Sequence, residues 1–149
     1  KLDFGGGAAA SGTYTSQAID LGNFVSISWN ATTPAGAAVK LQVATATDEP
    51  TPVWTNFLGL DGTTSSYYTV SGSFLNPAHN NHRYIKYKAF LSTSIPGNNP
   101  ILHDVAIGYQ LGGATGAKSA TLKVIVSPGI TISVPSGRVT LPVTSVVRI

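Results

Sequence analysis

Three histidines and six acidic side chains are the groups of this 149-residue chain best suited to proton transfer or metal binding, because cysteine is absent. His79 and His82 flank a short loop. Two imidazoles are the start of a metal site, but a closed site needs further ligands that the spacing does not place. They are expected to be solvated loop residues. His103 and Asp104 have the types of a general base and its orienting carboxylate, yet no activated serine completes the set. Their expected role is a hydrogen bond that pins a sheet edge. Asp48, Glu49 and Asp61 lie in turn-rich segments, where carboxylates and backbone carbonyls suit calcium, but they lack the EF-hand spacing. The expected cofactor complement is therefore none, with calcium as the single alternative. Asp20 precedes Leu21 and Gly22 and is expected to satisfy turn amides. With no phosphate loop and no nucleophile elbow, the sequence predicts no enzyme.

A second kind of chemistry is recognition by aromatic faces. Trp54, Tyr67 and Tyr68, with Phe57 beside them, sit near irregular segments and suit a platform for sugar rings. The competing reading is hydrophobic packing of a loop. Trp29 falls on the apolar face of an alternating run and is expected in the core. Asn30, Ala31 and Thr32 form an N-glycosylation acceptor pattern at Asn30.

The elements that must position these residues are strands. In the run 83–93, Ile85, Tyr87, Ala89 and Leu91 alternate with Tyr84, Lys86, Lys88 and Phe90, which assigns one set to each face. The lysines mark the second face as the wet one. After a turn rich in proline, glycine and asparagine, Val105, Ile107 and Tyr109 alternate in the same way. The two runs are expected to form the spine of one antiparallel sheet. Further strands are expected over 24–30, 38–47 and, shorter, 67–70. The predicted core holds Val25, Ile27, Trp29, Val39, Leu41, Val43, Ile85, Tyr87, Leu91, Val105 and Ile107. No window has helical periodicity, so the expected fold is all-β: an antiparallel two-sheet sandwich, jelly-roll or immunoglobulin-like.

The expected organisation is a flexible lead-in over 1–12, rich in glycine and alanine, and a sandwich over 13–111. A Gly-rich spacer over 112–118 and a C-terminal β extension or small second β-unit over 119–149 complete it. In that last part, Leu122, Val124 and Val126 share a face, as do Ile130, Ile132 and Val134, with Val139 and Leu141 beyond. Such strands are aggregation hazards unless something pairs with them.

Only 10% of residues are charged, and the net charge of +3 is scattered, so nucleic acid is a poor partner. No apolar stretch approaches the roughly 20 residues needed to span a bilayer. A start at Lys1 fits a chain that has lost a leader, and a fragment boundary would look identical.

Five segments, 14–22, 27–36, 39–45, 83–88 and 100–105, carry a family resemblance. They read Tyr14-Thr-Ser-Gln-Ala-Ile-Asp-Leu-Gly22, Ile27-Ser-Trp-Asn-Ala-Thr-Thr-Pro-Ala-Gly36, Val39-Lys-Leu-Gln-Val-Ala-Thr45, Arg83-Tyr-Ile-Lys-Tyr-Lys88 and Pro100-Ile-Leu-His-Asp-Val105. Residues 14–109 thereby resemble a repeated β-sandwich module of bacterial and archaeal extracellular surface proteins. The resemblance implies a non-catalytic part of large surface proteins, sometimes near carbohydrate-active domains, with no defined ligand. The expected function is thus a structural subunit of an extracellular or cell-surface assembly (filament, stalk or layer), a homo-oligomer joined by β-strand addition through the C-terminal strands. The alternative is a carbohydrate-binding or adhesion module whose partner is a polysaccharide.

Overall fold

The computed structural model describes residues 10–47, 51–110 and 119–125. Eight strands follow in order: β1 Ala10–Thr15, β2 Ile19–Asp20, β3 Phe24–Thr32, β4 Ala37–Ala46, β5 Ser73–Phe74, β6 Tyr84–Thr93, β7 Ile101–Gln110 and β8 Ser119–Ile125. They form two antiparallel sheets packed face to face. In the first, β6 is central, with β1 and β2 along one side and β4 along the other. In the second, the order is β5-β3-β7-β8.

The runs expected to make one spine instead supply one strand to each sheet. β6 belongs to the first sheet and β7 to the second, so the connection over 94–100 crosses the sandwich rather than closing a hairpin. The reason is burial. Ile85, Tyr87, Ala89 and Leu91 form an apolar face, as do Leu102, Val105 and Ile107, and facing each other removes both from water. The turn is built for a sharp departure, with Thr93 Oγ1 accepting from Ile95 N (3.1 Å) and Gly97 in the left-handed region.

The core matches the period-two reading at Ile27, Val39, Leu41, Val43, Ile85, Tyr87, Leu91, Val105 and Ile107. Two expectations are corrected. Val25 is only half-buried and Phe24 takes the core position, because a bulge between Phe24 and Ser26 shifts the phase of β3. Trp29 packs against the core but is half-exposed. The expected strand over 67–70 reduces to a single bridge between Tyr68 and Leu41. At the N-terminus, residues 10–12 belong to β1, and at the other end β8 adds to the second sheet through β7. The remainder of the expected lead-in, the spacer and residues 126–149 lie outside the described residues.

Candidate functional site

The outer edge of β4 is closed by a segment that is not itself a strand. Val43 and Leu58 exchange backbone hydrogen bonds (3.0 and 2.8 Å), as do Leu41 and Tyr68 (2.9 and 2.8 Å), and Thr55 N donates to Thr45 O (2.9 Å). Gln42, 4% exposed, turns its amide Nε2 outward to donate to Thr64 O (2.8 Å) and Ser66 O (2.7 Å). Between these anchors the chain makes a tight turn. Gly59 packs so closely that a Cβ there would overlap the Ser66 carbonyl and the Tyr67 nitrogen. The Asp61 carboxylate accepts from Thr63 N (2.9 Å), Thr63 Oγ1 (2.8 Å) and the Ser66 hydroxyl, which together hold it below the usual carboxylate range.

This segment lays aromatic rings over the lysine face of β6. Lys86 Nζ stands 4.1 Å from the centroid of Trp54 and 5.4 Å from that of Phe57. Lys88 Nζ lies 5.2 Å from Phe90 and 5.9 Å from Phe57, and Lys40 Nζ, on β4, lies 3.7 Å from Tyr67. Tyr67 meets Phe90 edge-on at 5.0 Å. All seven side chains are half-buried. The face expected to be wet is therefore an interleaved sheet of rings and ammonium groups. Among the described residues, none of these three lysines has a carboxylate within salt-bridge distance. Tyr68 leaves the expected sugar platform: it is fully buried in the core, its hydroxyl accepting from Asn76 N (3.0 Å). A side chain adjacent to Tyr67 in an extended segment must point the other way.

The histidines are not solvated loop residues as expected. Asn76 caps the 3₁₀ turn Pro77–His79 by accepting from Ala78 N (3.0 Å), and the turn drives His79 into the core, 1% exposed. Thr45 Oγ1 contacts Nδ1 of His79 (2.9 Å) and Nδ1 of His82 (2.5 Å), while His79 Nε2 is buried without a partner. A hydroxyl has one hydrogen, so it donates to one ring and accepts from the other. Assigning Nδ1–H to His79 leaves a bare acceptor at its Nε2, which costs less than an orphaned N–H. Burial, with the His82 charge second, lowers the His79 pKa to about 4.

His103 Nε2 meets Thr32 Oγ1 at 2.7 Å, a side-chain bond that ties β7 to β3 within the sheet. Asp20 is expected to satisfy turn amides; in the structure Arg83 grips its carboxylate with two bonds, Nε to Oδ1 (2.8 Å) and Nη2 to Oδ2 (2.9 Å). Asp48 and Glu49 lie outside the described residues, and among the described residues no three potential metal ligands gather. Asn30 is exposed on β3.

The sheet edges are unequal. Tyr68 bonds β4, and three residues later Ser71 bonds β3, its Oγ accepting from Trp29 N and donating to Trp29 O (both 2.7 Å). Three residues span about 10 Å, the separation of packed sheets, so one continuous segment seals both edges of one flank. On the opposite flank, β1 and β8 are the outermost described strands. Leu122 and Val124 sit in β8 opposite Ile107 and Val105. Val126, Ile130, Ile132, Val134, Val139 and Leu141 lie outside the described residues.

Comparison with known proteins finds no match to a family model, a curated protein or a solved structure. Sequence reasoning missed Lys40, Lys86 and Lys88 as part of the aromatic site. Their signal was present: three lysines whose period-two positions share the outward side of adjacent strands.

Proposed function

We propose that this chain is a structural subunit of an extracellular or cell-surface assembly, with subunits joined by β-strand addition along the flank that carries β1 and β8. The observation that carries the reading is the contrast between flanks: one ends in the irregular segment 54–75 with the two-residue β5, while the longer strands β1 and β8 end their sheets on the other among the described residues. An outermost strand offers a row of backbone donors and acceptors, and a neighbour's strand satisfies them with main-chain bonds while alternate side chains set specificity. The donor is drawn from the alternating apolar runs of Ile130, Ile132 and Val134 or of Val139 and Leu141. Joined head to tail without closing, such contacts grow a fibre. The uncharged polar composition and the resemblance of residues 14–109 to extracellular surface modules belong with this reading.

The test is electron microscopy and analytical ultracentrifugation of the full chain beside the variant Ile132→Asp/Val134→Asp. Polymers or concentration-dependent oligomers that the variant loses, with unchanged far-UV circular dichroism, are expected. A monodisperse monomer at every concentration would overturn the proposal.

A further inference from the structure

The ring-and-lysine face over β4 and β6 lies apart from the strand edges proposed for assembly, and its chemistry points to a ligand. Lys86 and Lys88 are two residues apart on one strand, hence about 7 Å apart along it. Lys40 stands opposite Phe90 on the neighbouring strand, one further step in the same direction. The three lysines therefore rise from strand positions spread over about 14 Å along the sheet, on two neighbouring strands. Each sits over one or two aromatic rings, which attract it and limit its rotamers, and none is neutralised by a described carboxylate. Three cations on one face with no described carboxylate within salt-bridge distance attract a string of anions laid across them.

We propose that this face binds an acidic polysaccharide, a polymer of uronic acid residues, with Lys86, Lys88 and Lys40 pairing successive carboxylates. Trp54 and Tyr67, half-buried beside them, supply apolar edges for the C–H faces of the sugar rings. A neutral glycan makes no use of the lysines. Single-stranded nucleic acid needs open ring faces for base stacking, and here ammonium groups stand over them. The three lysines stand on β6, one strand in from the outer edge of β1, and on β4 beyond it, in the other sheet from β8, so binding and assembly are read by separate measurements.

The experiment measures retention of the full chain on polygalacturonate at low salt, beside neutral dextran and poly(dT), for the parent, Lys86→Gln/Lys88→Gln and Lys86→Arg/Lys88→Arg. The expected result is preference for polygalacturonate, weakened about tenfold by the glutamine pair, kept by the arginine pair, and falling as salt is raised. Unchanged circular dichroism and thermal midpoint of the glutamine variant separate lost pairing from lost fold. If that variant is destabilised, Lys40→Gln alone gives the same reading at a smaller effect. No retention on polygalacturonate, equal retention of the glutamine variants, or preference for dextran or poly(dT) would each overturn the proposal.

Discussion

The Thr45 hydroxyl lies 2.9 Å from Nδ1 of His79, and the other nitrogen of that ring is buried without a partner. The ring is thus held neutral, with no acceptor for a second proton and with His82 on the far side of the same hydroxyl. Its pKa is about 4 in the folded chain, against an ordinary value of 6.5. Between those values the unfolded chain carries a proton that the folded chain refuses. Stability from this group is therefore fully present above about pH 6.5 and is lost as pH falls toward about 4, by up to about 3 kcal/mol. Urea denaturation across that range is expected to show the slope, and His79→Gln to flatten it. An equal slope in the variant would assign the effect elsewhere.

Gln42 is a second buried polar group, and its amide Nε2 donates to two carbonyls of the 64–66 turn. Gln42→Leu leaves those acceptors without their donor and is expected to cost about 1–3 kcal/mol. Hydrogen exchange is the discriminating measurement. The amides of Leu58 and Tyr68, which bond β4, should lose protection more than those of β7. Uniform loss would mean that the segment is not an independent flap over the β4 edge.

Much of the frame was legible because a half-buried strand repeats every two residues. The strand expected over 38–47 is Ala37–Ala46, and that expected over 83–93 is Tyr84–Thr93. What escaped the pattern has identifiable causes. The bulge after Phe24 changes phase without changing composition, so Val25 looks as apolar as its neighbour. The crossing at 94–100 reads like any hairpin turn, because local turn chemistry does not say which sheet the next strand joins. By pattern alone, Lys86 and Lys88 mark a solvent face. Their long apolar stems can instead lie over rings while the ammonium groups stay at the surface. That arrangement depends on Trp54 and Phe57, 29 to 32 residues away in sequence and beyond any local periodicity.

Tyr68 is buried more deeply than Trp29, the reverse of what their sequence neighbourhoods suggest, and truncation tests the order. Tyr68→Ala removes a fully buried ring that also accepts from Asn76 N. It is expected to cost about 3–5 kcal/mol, the range for a large aromatic in a core. Trp29→Ala removes a half-exposed ring and should cost clearly less. Thermal denaturation of the two variants gives the order directly, and a greater loss for Trp29 would contradict the packing described here.

Arg83 and Asp20 form a two-pronged ion pair in which each side chain is nearly half exposed, 45% and 49%. Water and salt screen such a pair, so the charge itself contributes about 1 kcal/mol or less. The position of the pair matters more than its strength. The Arg83 carbonyl accepts from Leu21 N (3.2 Å) and Gly22 N (2.9 Å), and its own N–H donates to Ala46 O (2.9 Å). The backbone of Arg83 thus links the end of β4 to the turn after β2 whatever its side chain does. Asp20→Asn is therefore expected to lower the thermal midpoint by only a few degrees at low ionic strength, with the difference shrinking in high salt. A large loss that persists in high salt would mean that the Asp20 carboxylate holds the turn itself, through bonds that screening does not reach.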